Sequence, residues 1–484
     1  MTDSTFFWHD YETFGAVPRR DRPAQFAGVR TDGDLNEVDA PVMHHCRPAP
    51  DVLPEPEACL LTGITPQRCL ALGLAEPAFA AVVEAELARP GTVGVGYNSI
   101  RFDDEVTRFL FWRNLIDPYA REWQHGCGRW DLLDLLRTAW ALRPDGIEWP
   151  RHDDGRPSFK LEHLAAANGL THEAAHDALS DVRATVALAR LVKARQPRLW
   201  DFCLRLRRKD EVVREIASAQ NAGAPFLHVS GMYGTERGCL AVVWPLAPHP
   251  TNKNELIVWD LAADPSELAG LDVATLRQRL FARADELPAG TTRLPVKTIH
   301  LNKSPVVVAD LRTLGAAAAG RWGIDLDRAR RHADAAARVV PLLAGMWPEV
   351  YRRPDDAEGA PPRDVDEDLY GGFLADGDRR TLQRLRTLEP GALAAARQAF
   401  ADPRLGELLW RYRARNFPDT LTDAERARWR VHCAARLHDG AGGGLTLEAF
   451  FERIDALGEA ADERGQEILG ELVDYAAAIA PERD

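Results

Sequence analysis

FFWHDYETFG, residues 6–15, is the segment that decides the fold. Its aromatic side chains predict a buried β-strand, and two carboxylates, Asp10 and Glu12, stand two positions apart within it. Because side chains alternate between the faces of a strand, Asp10 and Glu12 share one face while His9 and Tyr11 share the other. Two carboxylates buried on one face repel each other unless a positive charge neutralises them. The pattern therefore indicates a site for a divalent cation, and an edge strand whose acids face water is the alternative.

The length and composition are those of a multidomain globular protein. The chain has 484 residues, 45% hydrophobic and 27% charged, and this length predicts two to four domains. The seven cysteines never stand in C-x-x-C spacing, which argues against a disulfide framework and a zinc site. The N-terminus lacks a basic segment and no apolar run is long enough for a bilayer, so we expect a cytoplasmic protein without membrane contact. The net charge of −13 confines nucleic-acid binding to a local basic groove.

Strand and helix signals alternate from residue 1 to about 195. Further strands are predicted at 25–30, 42–46 and 91–98, and helices at 77–88, 104–114 and 129–142. Mixed strands covered by helices predict an α/β layer with both faces of the sheet buried.

A third candidate carboxylate, Asp103, follows the strand predicted at 91–98 and begins a helix. Active sites of open α/β sheets lie beyond the carboxyl ends of their strands, which favours a functional role. A helix N-cap is the alternative role for Asp103, and Asp104 competes with it for either role. The position directly after Phe102 favours Asp103.

The last helix of this region begins near His176, with Asp181 about one turn inside it. Its apolar positions 178, 182, 186 and 189 form one stripe. A histidine at a helix entrance is more often a surface residue, and an acid in the first turn is favoured by the helix dipole, so each position also has an ordinary explanation. The segment 158–164 is predicted to begin another helix and carries an exposed lysine, Lys160.

Taken together, these positions resemble the DEDDh class of 3′→5′ exonucleases. The matching motifs are D-x-E at Asp10 and Glu12, N-x3-F-D ending at Asp103, and H-x4-D from His176 to Asp181. A sister class carries tyrosine four residues before the last aspartate, where this chain has another aspartate, so the histidine class is indicated.

The chain also resembles, over most of its length, the bacterial exodeoxyribonuclease I family. The similar segments are HDYETFG at 9–15, DRPAQF at 21–26, LTGITPQ at 61–67, GYN at 96–98, RFDDEVTR at 101–108, PSF at 157–159, AHDA at 175–178, VSGMYG at 229–234, HLNK at 300–303 and YRARNF at 412–417. The resemblance implies an α/β fold with an RNase H-like mixed-sheet exonuclease domain at 1–195, an SH3-like domain at 196–350 and a helical C-terminal domain at 354–480.

The patterns beyond residue 200 agree with that division. Strands are predicted at 227–229, 240–244, 256–261 and 296–303, with helices from about 310 to 348. The last of these strands sets Thr298, His300 and Asn302 on one face. Residues 354–368 hold seven acids and three prolines and predict an exposed linker. Residues 378–480 are predicted to be helical, with breaks at Pro390, Pro403 and 440–444.

The resemblance implies metal-dependent hydrolysis with two ions in each site. Oxygen ligands suit Mg²⁺, with Mn²⁺ as the alternative. Asp10, Glu12 and Asp181 are expected to hold the first ion, and Asp10 with Asp103 the second. His176 is the expected general base, because its ordinary pKa lies near neutrality.

The segment 101–143 is the predicted binding surface for single-stranded DNA. It carries seven arginines, seven acids and eight aromatic residues, a mixture that suits base stacking and phosphate pairing. A core location for most of these rings is the alternative. The candidates for substrate contact are Tyr119 and Trp123 for stacking, Arg108, Arg137 and Lys160 for phosphates, Glu12 at the scissile end, and His300, Lys303 and Arg415 beyond the nuclease region.

Three functions are compatible with these features. The first is a 3′→5′ exodeoxyribonuclease that degrades single-stranded DNA to 5′-mononucleotides in DNA repair and recombination. The second, the same chemistry on RNA or in a proofreading subunit, is disfavoured by the long region matching the exodeoxyribonuclease I family. The third, a catalytically silent binding protein, is disfavoured because all five site residues are present. The resemblance also implies docking of the acidic C-terminal tail of single-stranded-DNA-binding protein, and we expect a monomer.

Overall fold

The computed structural model describes residues 4–171, 177–352 and 363–482. In chain order its strands and α-helices are β1 (Thr5–Thr13), β2 (Pro23–Thr31), β3 (Val42–His45), α1 (Pro56–Thr62), α2 (Pro66–Leu72), α3 (Glu76–Leu87), β4 (Thr92–Gly96), α4 (Asp103–Arg113), β5 (Gly128–Asp131), α5 (Leu132–Leu142), α6 (Leu161–Ala167), α7 (Ala178–Arg195), α8 (Pro197–Arg205), α9 (Lys209–Asn221), β6 (Phe226–Val229), β7 (Leu240–Pro248), β8 (Glu255–Asp260), α10 (Val273–Phe281), β9 (Val296–His300), β10 (Val306–Val308), α11 (Gly315–Arg321), α12 (Leu326–Leu343), α13 (Trp347–Val350), α14 (Asp376–Arg386), α15 (Pro390–Ala395), α16 (Arg404–Asn416), α17 (Asp423–Leu437), α18 (Leu447–Gly458) and α19 (Glu463–Ile479).

The chain forms two compact units that do not follow the order of the sequence. The first comprises the described residues within Met1–Gly128, His172–Val186 and Pro362–Asp484, and the second those within Arg129–Thr171 and Ala187–Pro361. The beginning and the end of the chain therefore belong to one unit.

The sheet of the first unit is built around β1. This strand pairs antiparallel with β2 on one side and parallel with β4 on the other, and β2 pairs antiparallel with β3. β1 lies inside the sheet, although its pairing with β4 covers only Thr5–Trp8. The burial of Glu12 argues against the alternative of an edge strand whose acids face water. Phe7, Tyr11 and Phe26 pack into an apolar core with α3 and α4 on one face of this sheet.

The C-terminal helices of the first unit pack on the N-terminal part of the chain. Residues of α17, α18 and α19 share one apolar cluster with Phe14 and with residues of α1 and α2. Residues of α14 and α16 share another with Phe109, Trp112 and Leu115. Pro390 is the first residue of α15 and Pro403 immediately precedes α16, so both prolines begin helices, where their missing N–H costs least.

The predicted exposed linker at 354–368 is wrong for the part that the structure describes. Residues 353–362 lie outside the described residues, but Asp364 and Asp366 are within them. Asp366 is buried and pairs with Arg411 and Arg415, and Asp364 pairs with Arg411 and Arg436. These acids face arginines of the C-terminal helices rather than water.

The sheet of the second unit has the order β10-β6-β7-β8-β9, and its neighbouring strands are antiparallel. The predicted β-rich region is confirmed, with one correction. β9 ends at His300 and the chain turns there, so Asn302 does not continue the face formed by Thr298 and His300.

The helix predicted from residue 129 begins at Leu132, because residues 128–131 form β5 and the Asp131 side chain caps the helix. Among the described residues, no helix combines the length and the apolar character needed to cross a bilayer.

Candidate active site

Three of the predicted carboxylates meet in the first unit. Asp10 and Glu12 lie on β1, and Asp181 lies in the first turn of α7. One carboxylate oxygen from each residue lies within 4.8 Å of the other two. The alternation of β1 and the entry of α7 thus bring together acids that are about 170 positions apart in the sequence.

A fourth carboxylate, Asp103, is held beside β1 by two bonds. Its Oδ1 accepts a hydrogen bond from the backbone N–H of Tyr11 at 3.1 Å. The Thr107 hydroxyl lies 3.0 Å from the Tyr11 hydroxyl and donates to the backbone carbonyl of Asp103 at 2.9 Å. The N-cap position of α4 is occupied by Phe102, and Asp103 is the first residue of the helix. The capping alternative for Asp103 is therefore excluded.

Asp104, the competitor of Asp103, points into a different environment. Its Oδ1 accepts a hydrogen bond from Nη2 of Arg121 at 2.6 Å, and both side chains are buried. A buried carboxylate paired in this way is already neutralised and is held away from the acid cluster. Asp103, rather than Asp104, carries the electrostatic coupling to Asp10.

The carboxylates of the cluster are in an environment that favours protonation. Burial raises the pKa of Asp10 well above its usual range, and Asp103, Glu12 and Asp181 raise it further. Burial, followed by Asp181 and Asp177, raises the pKa of Glu12 to about 8. These shifts express the repulsion of several acids without a counter-charge. Such a group of hard oxygen donors fits a divalent cation.

Gln25 is a residue of the site that sequence reasoning missed. It stands directly opposite Glu12 in the β1–β2 pair and is buried. Its side-chain oxygen accepts a hydrogen bond from the backbone N–H of Ala178, the first residue of α7, at 3.2 Å. The available signal was an amide side chain within the DRPAQF segment, immediately before the apolar run 26–29.

The structure gives Arg108 a role different from the predicted phosphate contact. Its guanidinium donates to Glu122 at 2.7 and 2.9 Å and to Glu105 at 2.8 Å. It also donates to the hydroxyl of Tyr370 at 3.0 Å and lies 5.3 Å from the centre of the Tyr119 ring. Arg108 is therefore a buried, compensated charge, and Tyr119 is partly covered by it.

Arg415 is likewise part of a buried network rather than of an open surface. It donates to Asp51 at 2.8 and 3.0 Å and also pairs with Asp366. Its pKa is raised well above the usual value because both acids favour the charged form, and this effect exceeds the opposing effect of burial. The predicted DNA contact at Arg415 is not supported by this position.

The remaining substrate candidates lie at or near the surface of their own units. Trp123 is 66% exposed. In the second unit, Lys160 is exposed, and its Nζ lies 3.7 Å from Oε1 of Glu162. Arg137 is half-buried and donates a hydrogen bond to Oδ1 of Asp134 at 2.7 Å. Nδ1 of His300 lies 3.3 Å from Oε1 of Glu255. Lys303 is half-buried. His176 lies outside the described residues.

Comparisons with known proteins agree with this arrangement. Residues 7–189 match a family model described as "Exonuclease", residues 207–353 the "Exonuclease I SH3-like domain", and residues 363–479 the "Exonuclease I C-terminal domain". Exodeoxyribonuclease I of Escherichia coli is 48% identical over 89% of each chain, and that of Haemophilus influenzae is 43% identical over 94% of each.

Solved structures of the same kind share the whole fold. Exonuclease I from Methylocaldum szegediense has a TM-score of 0.92 at 49% identity, covering 98% of this chain and 99% of that one. E. coli exonuclease I in complex with a dA16 oligonucleotide has a TM-score of 0.92 at 43% identity, covering 99% and 100%. Because all three family models are matched in order and relatives 48% and 43% identical are covered over most of their length, the chain belongs to the exodeoxyribonuclease I family of exonucleases.

Proposed function

We propose that this chain is a 3′→5′ exodeoxyribonuclease that hydrolyses single-stranded DNA to 5′-mononucleotides. The observation that carries the proposal is the convergence of Asp10, Glu12 and Asp181 within 4.8 Å, with Asp103 beside them. The binding of a dA16 oligonucleotide by the E. coli relative supports DNA as the substrate. Repair and recombination are the processes in which such an activity consumes free 3′ strands.

The site is suited to two Mg²⁺ ions, with Mn²⁺ as a substitute. Asp10, Glu12 and Asp181 would hold one ion, and Asp10 together with Asp103 the other. Bound ions supply the positive charge that activates a water and stabilises the departing 3′-oxygen. The repulsion that raises the pKa of Asp10 and Glu12 is the property that such ions would relieve.

The remaining roles belong to the chain itself. The carboxylates would hold the ions beside which the scissile phosphate lies, and the bond from the Ala178 N–H to the buried Gln25 connects the helix that carries Asp181 to the β1–β2 pair. His176, which we assign as the general base from its motif, accepts the proton of the attacking water. An imidazole serves this role near neutral pH because its ordinary pKa is about 6.5.

The test is degradation of end-labelled substrates by the purified chain. Single-stranded DNA labelled at the 5′ or 3′ end, duplex DNA and RNA are incubated with and without Mg²⁺, and Asp10→Asn serves as the control. We expect 5′-mononucleotides released from the 3′ end of single strands only with the metal. Equal activity of Asp10→Asn, or degradation without a divalent ion, contradicts the proposal. Gel filtration of the same preparation tests the expected monomer.

For the acidic tail of single-stranded-DNA-binding protein, we propose a cavity of the second unit. The cavity of about 410 Å³ is lined by apolar residues such as Leu142, Leu199 and Phe202 and by the exposed Arg143 and Arg198. None of its described lining residues is an Asp or Glu. Arginines for which the structure describes no ion pair, in a cavity without described acids, suit an acidic tail.

A labelled tail peptide tests this assignment by fluorescence anisotropy. Arg143→Ala and Arg198→Ala should each weaken binding, whereas Arg312→Ala, an exposed arginine already paired with Asp310, should not. Unchanged affinity of the double variant would move the tail elsewhere. A related structure, described as SSB and exonuclease I with an inhibitor, supports the partner but not the location.

A further inference from the structure

Another cavity, of about 690 Å³, lies wholly within the second unit. One wall is a hairpin, in which Arg151 pairs antiparallel with Pro157. A second wall is formed by Trp140 of α5 and by Arg321 and Trp322 at the end of α11. The volume of the cavity lies in the range of roughly 300–1,000 Å³ that is typical of ligand sites.

Two tryptophans form an aromatic wall in this cavity. The ring centres of Trp140 and Trp322 lie 5.4 Å apart, and Trp149 packs on the first of them with ring centres 5.3 Å apart. The indole N–H of Trp322 donates to the carbonyl of Ala141 at 2.9 Å. Gly238 lies directly against the Trp322 ring, because a Cβ added there would come within 2.5 Å of it. The ring is thus held in place, and a fixed aromatic surface favours the stacking of a planar ligand.

Two arginines lie on these rings. Cζ of Arg151 is 5.8 Å from the centre of the Trp140 ring, and Cζ of Arg321 is 5.7 Å from that of Trp322. Both arginines are exposed, and the structure describes no ion pair for either of them. Because the two rings are in contact, both guanidinium groups lie along the same aromatic wall. A guanidinium on a ring face keeps N–H donors at its edge, and such donors suit a phosphate.

The acids of the cavity are matched by a third arginine, Arg156. Its Nη2 lies 2.6 Å from Oδ2 of Asp154. The hydrogen bond with Asp154 raises the pKa of Arg156, and the charge of Glu236 raises it further. Among the described lining residues, three arginines face two acids, so the cavity carries one positive charge in excess. An acidic peptide suits the cavity without described acids better, whereas a small aromatic anion suits this one.

A buried donor of the aromatic wall completes the cavity. Trp140 is 8% exposed, and its Nε1 has no hydrogen-bond partner among the described residues. Leaving such a donor unpaired is destabilising. An acceptor oxygen of a ligand, such as a sugar hydroxyl or a base carbonyl, is the kind of group that would satisfy it.

We propose that this cavity binds a free 5′-mononucleotide, with the base stacked on Trp322 and the phosphate paired with Arg151 and Arg321. A nucleotide combines the planar ring that the aromatic wall suits with the anion that the excess positive charge favours. The inference goes beyond the proposed function and rests on it only for the source of the ligand, because hydrolysis of a strand releases mononucleotides. The acid cluster belongs to the first unit and this cavity to the second, so the two assignments can be tested separately.

The test is calorimetric titration of dAMP into the Asp10→Asn chain in EDTA. The substitution and the chelator together remove metal-dependent binding at the acid cluster. We expect saturable binding of dAMP in the second unit. Deoxyadenosine and inorganic phosphate should each bind about tenfold more weakly or less, because each lacks one of the two recognised groups.

Variants made in the same background assign the binding to the cavity. Arg151→Gln and Arg321→Gln should each weaken dAMP binding about tenfold and leave deoxyadenosine binding unchanged, because only a phosphate contact is lost. Trp322→Leu should weaken binding of both ligands about fivefold or more, and Trp322→Phe should keep most of the affinity, because a base stacks on any aromatic ring. Arg338→Gln is the matched control. Arg338 is an exposed arginine of α12 outside the cavity, and its substitution should not change dAMP binding.

Thermal melting of every variant verifies folding, and the two exposed arginines test the proposal even where Trp322→Leu does not fold. Absence of saturable dAMP binding, or full affinity in the Arg151→Gln, Arg321→Gln double variant, overturns the assignment. Equal affinity for deoxyadenosine and dAMP does so as well, because the phosphate is then not recognised. If the variants weaken binding of a dT oligonucleotide while dAMP does not bind, the cavity contacts a strand and the proposal is wrong.

Failure of the proposed function gives a different result. If the wild-type chain does not degrade single strands but dAMP binds with the expected dependence on Arg151, Arg321 and Trp322, the nucleotide site stands and the nuclease assignment falls. If the wild-type chain degrades single strands but dAMP does not bind in EDTA, only the nucleotide site is overturned.

Discussion

The side-chain oxygen of Gln25 accepts a hydrogen bond from the backbone N–H of Ala178 at 3.2 Å. Gln25 stands opposite Glu12 on the neighbouring strand, and Ala178 begins the helix that carries Asp181. One buried bond therefore connects the two elements that supply the carboxylates. We infer that this bond helps to set the distance between Glu12 and Asp181.

Replacing Gln25 by Met keeps a side chain of similar length and removes the acceptor. We expect the affinity for Mn²⁺, measured by calorimetry without DNA, to fall about tenfold or more, as is typical when a residue supporting a metal ligand is lost. Thr31→Val is the matched control, because it removes the bond from the Trp8 indole at 2.9 Å on the same strand pair. It should lower stability by about 1–3 kcal/mol, because the buried Trp8 N–H loses its acceptor, and it should leave Mn²⁺ affinity unchanged. Wild-type Mn²⁺ affinity in Gln25→Met would contradict the positioning role.

Removing one carboxylate from the cluster should stop hydrolysis and stabilise the metal-free protein. Asp10→Asn keeps the size of the side chain but removes a charge that repels Glu12, Asp103 and Asp181. We expect a higher melting temperature than wild type in EDTA at pH 8, and a smaller rise on adding Mg²⁺. A lower melting temperature in EDTA would show that the carboxylates are not in mutual repulsion.

The pH dependence of metal-free stability has a definite sign. The pKa of Glu12 is about 8 in the folded protein and about 4.3 in an unfolded chain. Between these values the folded state binds more protons, so stability should fall as pH rises from about 4.5 to 8. Glu12→Gln should flatten this decline in EDTA melting curves. A decline of the same steepness in both proteins would assign it to other groups.

The acid cluster could be predicted from sequence because its geometry is mostly local. Alternation along β1 places Asp10 and Glu12 on one face whatever the rest of the chain does. Asp103 and Asp181 follow from their positions at helix starts, helped by the family motifs. Gln25 depends on the register between β1 and β2, which the sequence of either strand alone does not specify.

The charged residues were harder to predict because their partners are distant in sequence. Arg108 is compensated by Glu122, 14 positions away, and Arg415 by Asp51, 364 positions away. A sequence shows an arginine but not the acid that folds against it. The same reason explains why Asp366, in a segment rich in acids and prolines, is buried rather than exposed.

Arg108→Ala should affect stability and leave the salt dependence of DNA binding intact. The substitution leaves Glu105 and Glu122 without their buried cation, and breaking a buried pair typically costs about 3–5 kcal/mol. Chemical denaturation measures the loss, and binding of a dT oligonucleotide at several salt concentrations measures the slope. A slope reduced by about 0.7 with little loss of stability would restore Arg108 as a phosphate ligand.

Arg415 should behave as a structural residue. Its loss would leave Asp51 and Asp366 buried beside Arg411, Arg436 and His432 with one cation fewer. We expect Arg415→Met to lower the free energy of unfolding by several kcal/mol. Activity measured well below the melting temperature should remain near wild type. A stable variant with a strongly raised KM would instead place Arg415 in contact with DNA.

Asp103 and Asp104 offer the sharpest comparison, because adjacent acids have opposite surroundings. Asp103 faces Asp10, so Asp103→Asn should relieve repulsion and weaken metal binding while the fold remains stable. Asp104 neutralises Arg121, whose Nε and Nη1 have no described hydrogen-bond partner. Asp104→Asn would remove the carboxylate paired directly with a buried guanidinium, leaving Glu122 as the more distant acid that acts on it, and should lower stability by about 3–5 kcal/mol. Its Mn²⁺ affinity at a temperature where it is folded should stay near wild type.

The two variants carry the same chemical change one position apart, so melting curves in EDTA and Mn²⁺ titrations of both proteins compare only their surroundings. The expected pattern is reciprocal: Asp103→Asn loses metal affinity but not stability, and Asp104→Asn loses stability but not metal affinity. Reversal of this pattern would make Asp104 the fourth carboxylate of the site. Loss of both properties in both variants would mean that the first turn of α4 responds as one unit, and the separate roles assigned to the two acids would be wrong.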